Sequence, residues 1–177
     1  MGAQADACLS RDGPCQYCDD HQENYCPSLV VTYGSKHREG SKTYGGYARY
    51  HRCPSDFVFR IPDGLEPELA APVLCAGVTV YNALKQWGAG QGTTVGVVGL
   101  GGLGHFALLY AKAMGAKVVV ISRGEGKRAD AVGMGADGFI ATETDPDWVK
   151  KNTGTLDLIV STTASAKVSN TGSFVED

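Results

Sequence analysis

The chain has 177 residues, of which 43% are hydrophobic and 20% charged, with a formal net charge of −3. This is the composition of an ordinary soluble globular protein, enough for one domain or one and a half. The charge leaves no basic surface to argue for nucleic acid, and no run of about 18 apolar residues is present to span a membrane.

Residues 6–45 are polar and rich in Gly and Cys with little periodicity, which predicts an irregular lobe held by metal. Gly46 to Phe59 carries Tyr47, Tyr50, Phe57, Val58 and Phe59 and suits one or two short strands. Ile61-Pro62-Asp63-Gly64 signals a turn. The pattern is helical from Glu66 to Trp87, with Pro67 and Pro72 tolerable only near a helix start. Gly88-Ala89-Gly90-Gln91-Gly92 ends it.

The period then changes. A buried strand is predicted at Thr94–Val98, a helix over 102–114, a strand at Lys117–Ile121, and a helix near 126–134. A short strand at 138–141, a helix near 145–151 and a strand at 156–160 complete the series. Alternation of this kind predicts an α/β fold with a doubly wound parallel sheet. The boundary with the first domain is expected within residues 60–90.

Between the first of these strands and its helix stands Gly99-Leu100-Gly101-Gly102-Leu103-Gly104. In that context Gly99 permits a tight turn and Gly101 and Gly102 let backbone N–H groups approach a pyrophosphate. Gly104 allows close helix–strand packing. The helix N-terminus favours the anion. The second strand ends at Ser122-Arg123, with Lys127-Arg128 close by, where an acidic residue would bind the ribose hydroxyl of NAD. A hydroxyl among cations suits the 2′-phosphate of NADP(H) instead. The plainer readings are a glycine-rich turn of another α/β domain and a solvated basic helix start.

Cys8, Cys15, Cys18 and Cys26 lie within 19 residues. In a reducing, cytoplasmic setting, which the absence of a leader pattern predicts, four such thiols suit a tetrahedral Zn2+. The metal would supply folding energy that the sparse apolar content cannot. Disulfides or unrelated thiols are the alternatives. Cys75 reads on its own as a small buried residue in a packed helix.

With these motifs the chain resembles the zinc-dependent medium-chain alcohol dehydrogenases, of the cinnamyl-alcohol-dehydrogenase type that uses NADPH. The likeness runs from Gly2 to about Thr162. It rests on the cysteine lobe, on Tyr44-Gly45-Gly46-Tyr47, on Ala70-Ala71-Pro72-Val73-Leu74-Cys75-Ala76-Gly77-Val78-Thr79-Val80-Tyr81, and on Val98 to His105. The resemblance implies that residues 1–75 are part of a GroES-like catalytic domain with a structural zinc lobe. It implies that 76–177 is a C-terminally incomplete NADP-binding Rossmann domain. It places the structural metal on the four lobe cysteines and the catalytic metal on Cys75. It places the cofactor on Thr79, Gly99, Leu100, Gly101, Gly102, Leu103, Gly104, Ser122, Arg123 and Lys127.

One departure is visible. The family spaces the first two lobe cysteines by two residues, whereas Cys8 and Cys15 enclose six, so Cys8 is the least secure ligand. The family's other catalytic-zinc ligands, an N-terminal cysteine and a Gly-His-Glu segment, have no match. The chain is therefore expected to begin within the catalytic domain, and to retain about four sheet strands with an uncovered edge. The family's dimer strands are not matched, so dimerisation is not carried over.

The implied activity is the interconversion of primary alcohols and aromatic or aliphatic aldehydes with NADP(H). The alternative is a truncated, non-catalytic relic that binds structural zinc, with or without NADPH. A methyltransferase on a similar sheet is disfavoured, because the lobe and Ser122-Arg123 have no place in it.

Overall fold

The computed structural model describes residues 4–8 and 13–163. The chain divides into two compact units, Met1–Cys75 and Ala76–Asp177. In the first, strand β1 (Gln4–Asp6) pairs antiparallel with β2 (Val30–Val31), and β3 (Tyr33–Lys36) with β4 (Lys42–Tyr44). Thr43, at the centre of β4, is buried, and its hydroxyl accepts the N–H of Ser35 in β3 at 2.8 Å. The helices are a single turn, α1 (Gln16–Asp19), and α2 (Pro67–Pro72), which opens on a proline whose missing N–H costs nothing there. The lobe called irregular from sequence thus contains paired strands. They are too short and too polar to announce a period of two.

The strands expected in Gly46–Phe59 do not form. Among the described residues that stretch holds one 3-10 turn, Ser55–Phe57. Tyr47 and Tyr50 are fully exposed, so no cross-strand neighbour rewards an extended pairing. Pro54 also removes a ladder donor. Of the expected aromatics, Phe57 alone packs inward, against the cysteines.

The second unit follows the sequence expectation closely. Helix α3 spans Val78–Gln86. Strands β5 (Thr94–Val98), β6 (Lys117–Ser122), β7 (Gly138–Ala141) and β8 (Leu158–Ser161) form one parallel sheet in the order β7-β6-β5-β8. Helices α4 (Gly102–Ala113), α5 (Arg128–Gly133) and α6 (Trp148–Asn152) alternate with them. The chain leaves β5 toward β6 on one side and returns to β8 on the other, so strand order reverses at β5. Ligands of such sheets bind beyond the strands' carboxyl ends at this reversal.

One face of the sheet buries Val95, Val97, Val118 and Val120 completely against Leu84, Ala107, Leu108 and Ala111. Each such valine contributes roughly 1.5–3 kcal/mol over an exposed position. Val98, Ile121 and Leu156 pack on the other face with Trp148 and Val149 beside them. No helix among the described residues is long and apolar enough to cross a membrane.

Candidate functional site

Two constellations emerge, one in each unit. In the first, a β-like Cys15 leads into α1, which turns Cys18 inward, and a 3-10 turn at Glu23–Tyr25 delivers Cys26. Cys8 follows β1. Their four Sγ atoms lie within 4.8 Å of one another, with Cys8, Cys18 and Cys26 buried and Cys15 half-buried. Cys8 takes part despite the longer spacing. A tetrahedron of thiolates about 2.3 Å from a zinc has edges of roughly 3.8 Å, so the set fits the ion without rearrangement of the fold.

The surroundings of Cys26 favour its thiolate. Burial pushes the Cys26 thiol up, but N–H donors of Cys8 and Ser28 and the thiols of Cys8 and Cys18 outweigh it, and its pKa falls from 9.0 to about 7. The Cys8 N–H donates to Cys26 Sγ at 3.4 Å. Among the described residues this quartet is the group of His, Cys, Asp or Glu that could hold a metal.

In the second unit, β5 ends in the glycine turn at the strand-order reversal. Gly99 has φ 85°, a conformation that β-carbon-bearing residues rarely adopt. A Cβ on Gly104 would stand 1.9 Å from the Gly99 carbonyl oxygen, so α4 approaches the turn as only glycine permits. Nothing lies within 4 Å of a Cβ built on Gly101 or Gly102, and both residues are exposed. The first-turn N–H groups of α4 have no intrahelical acceptor, and the helix dipole adds to their attraction for an anion. Leu100 is buried and Leu103 exposed.

Beside this cradle stand the predicted basic residues. Ser122, at the end of β6, is half-buried, and Arg123 and Lys127 are exposed. Lys127 Nζ donates to the Leu100 carbonyl at 2.6 Å, which sets the ammonium against the glycine turn itself. The nearby acidic residue, Glu125, is engaged by a neighbouring arginine. Arg128 pairs with Glu125, donating to Oε1 at 2.9 Å, and stacks 4.7 Å over the Phe139 ring. The Arg128 hydrogen bonds hold the Glu125 carboxyl below its ordinary range, and Glu125 in turn raises Arg128. Glu125 is thus paired with Arg128, while Arg123 and Lys127 stand with Ser122 beside the turn.

Cys75 and Thr79 have a different setting. Pro72 cannot donate to the helical ladder, and the next five residues, Val73–Gly77, form one wide π turn that carries Cys75. Cys75 is exposed, which corrects its reading as a buried packing residue. It is not part of the metal-binding group, and Thr79 is exposed in the first turn of α3. The described residues therefore do not fit a second metal on Cys75.

Sequence reasoning overlooked Thr162. It directly follows β8, and its hydroxyl lies 2.9 Å from the Val98 carbonyl oxygen and 3.0 Å from that of Gly99. Nothing in the local sequence marks it. It reaches the turn only because β8 pairs with β5, a long-range contact.

Comparison with known proteins gives these sites a lineage. Residues 102–174 match the family model described as zinc-binding dehydrogenase. The chain is 47% identical over 167 residues to cinnamyl alcohol dehydrogenase 7 of Arabidopsis thaliana, covering 93% of this chain and 45% of that protein. It is also 47% identical over 160 residues to NADP-dependent alcohol dehydrogenase 6 of Saccharomyces cerevisiae, covering 90% and 43%.

A solved cinnamyl alcohol dehydrogenase from Sorghum bicolor superposes with a TM-score of 0.89 at 39% identity, over 99% of this chain and 50% of that one. The Helicobacter pylori enzyme complexed with NADP(H) gives 0.80 at 37%, over 93% and 45%. The chain spans about half the length of the relatives it matches. The shared fold and the extent of these identities place the chain in the zinc-binding, medium-chain dehydrogenase family, among its cinnamyl-alcohol-dehydrogenase type.

Proposed function

We propose that this chain supplies the NADP(H) seat and the structural zinc lobe of an oxidoreductase that interconverts primary alcohols and aldehydes, aromatic or aliphatic. The observation that carries the reading is the seating of Lys127 against the glycine turn, with Ser122 and Arg123 at the neighbouring strand end. One surface thereby offers a helix N-terminus for a pyrophosphate and a hydroxyl with two cations for a 2′-phosphate.

When bound, NADPH supplies a hydride and zinc a four-thiolate cross-link. The chain's own part is to bind and orient. Gly101 and Gly102 keep the approach to the α4 amides open, and Ser122, Arg123 and Lys127 select the phosphorylated ribose. Thr79, at the start of α3, is assigned to the nicotinamide end by the family likeness. A reducing, cytoplasmic setting belongs to the same reading, because thiolates must stay reduced to hold a metal.

Titration of the chain with NADPH and NADH, followed by cofactor fluorescence, tests this. NADPH is expected to bind at least about tenfold tighter, the worth of one or two charge-assisted contacts. Equal affinity for the two would remove the 2′-phosphate assignment, and binding of neither would remove the cofactor reading.

The alternative reading is that this chain binds both groups without turning over substrate. Elemental analysis and a cinnamaldehyde assay separate the two. One zinc per chain with no NADPH-dependent rate above a Cys75→Ser control means binding alone. Two zincs with a rate that Cys75→Ser abolishes mean catalysis.

A further inference from the structure

We infer that Thr162 is a positioning residue of the nucleotide seat: its hydroxyl pins the backbone of the glycine turn so that the turn's N–H groups face the pyrophosphate. The inference rests on the reading of that turn as a dinucleotide seat. Thr162 stands at the carboxyl end of β8, directly across the strand-order reversal from the carboxyl end of β5. Its N–H continues the ladder, donating to the Val98 carbonyl at 3.0 Å. Its Oγ1 lies at hydrogen-bond distance from the carbonyls of both Val98 and Gly99, at 2.9 and 3.0 Å, so the one hydroxyl proton is shared between them.

The consequence follows from peptide planarity. In a trans peptide the C=O of one residue and the N–H of the next point in opposite directions, and none of the chain's described peptides is cis. Holding the Gly99 carbonyl toward Thr162 therefore turns the Leu100 N–H away from it. The Val98 carbonyl is tied in the same way, and the Gly99 N–H that opposes it donates to Ile121 at 2.9 Å. With Lys127 on the Leu100 carbonyl, three successive carbonyls of the turn are occupied by side chains from distant parts of the sequence.

Glycine gives the turn its shape but also its freedom, since Gly99, Gly101 and Gly102 restrict the backbone little. A tie from a neighbouring strand is the device that limits it. The fit is close: Thr162 Oγ1 lies 3.2 Å from where a Cβ on either Gly99 or Gly104 would sit.

The test compares Thr162→Val, which keeps the shape and removes the hydroxyl, with the wild-type chain. A second pair, Thr162→Ser and Thr162→Ala, differs in the hydroxyl alone and serves if valine disturbs folding, which circular dichroism checks. Two readouts are taken. Amide exchange across residues 99–104, measured without nucleotide, is expected to rise roughly fivefold or more in the Val and Ala variants and to stay near wild type in Ser. The Kd for NADPH is expected to rise roughly three- to tenfold in the same two variants, as for loss of one hydrogen bond. Binding of adenosine 2′-monophosphate, which lacks the pyrophosphate, stays constant.

Unchanged exchange in the Val and Ala variants would overturn the inference. So would an equal loss of NADPH and adenosine 2′-monophosphate, which marks general damage rather than positioning. If the wild-type chain binds no NADPH, the cofactor reading falls instead, and the exchange data alone decide whether Thr162 holds the turn.

Discussion

Lys127 sits where two acceptors compete for one ammonium: the Leu100 carbonyl that it now contacts and the 2′-phosphate proposed to lie beside it. A phosphate dianion is the stronger acceptor. Lys127→Met is therefore expected to weaken NADPH by about 1–2 kcal/mol, roughly tenfold, while NADH changes little. Parallel titrations check it, and equal losses for the two cofactors would place Lys127 in turn stability instead. The cysteines make a sharper case. Cys18 is buried among the other three thiols, so Cys18→Ser leaves a poorer ligand at a site with no slack. The zinc content of the purified chain is expected to fall from about one per chain toward zero, since four ligands define the structural site. These residues were legible in the sequence because ligand chemistry depends on residue type and close spacing. Thr162 was not, because its partners are 64 and 63 residues away and only sheet order joins them.

Legibility at the scale of elements tracks burial. Strands β5 and β7 lie where the sequence placed them, at Thr94–Val98 and Gly138–Ala141, because parallel strands with apolar cover, nearly complete at central β5 and partial at edge strand β7, read as apolar runs between turn signals. The lobe strands and the failed strands of Gly46–Phe59 lack such cover, so residue preference alone decided nothing there. Beneath the sheet's pattern lies a repeated clasp that periodicity cannot reveal. The Asp137 N–H donates to the Val118 carbonyl while its carboxylate accepts the Val118 N–H at 2.7 Å. Asp157 does the same with Thr94, accepting at 2.7 Å. Each aspartate thus joins the entry of one strand to the entry of its neighbour. Lys112 adds an ion pair to Asp137 at 2.8 Å, and that contact, followed by the Val118 N–H, holds the carboxyl below its ordinary value of 3.8. A depressed carboxyl means that the unfolded chain binds more protons, so the contribution is complete above 3.8 and is lost as pH falls through the lowered value. The group is partly exposed, so Asp137→Asn is expected to cost no more than about 1 kcal/mol at neutral pH. Urea unfolding should show that difference closing in acid, and a difference that persisted there would mean the carboxylate charge is not its source.

Across the whole molecule the two units are stabilised by different physics. In the second, thirteen buried residues from Val80 to Val160 form a continuous apolar core, with a second cluster on the sheet's other face. Hydrophobic burial on that scale needs no metal. In the first, the lobe's buried cluster consists of Ala7 and three cysteines, with Cys15 and Phe57 packed against it. Four thiols brought within 4.8 Å are a poor core unless a cation joins them, since thiolates repel and thiols bury little apolar area. The energy of metal binding is then the folding energy of the lobe. A zinc chelator is accordingly expected to release amide protection across residues 13–30 while the amides of β5 and β6 exchange as before. NADPH affinity should change by less than about twofold, because removing a metal distant in sequence from the turn alters none of its hydrogen bonds. Simultaneous loss of protection in both regions would show that the metal stabilises the entire chain, and retention of protection in the lobe would show that its backbone pairings hold without zinc.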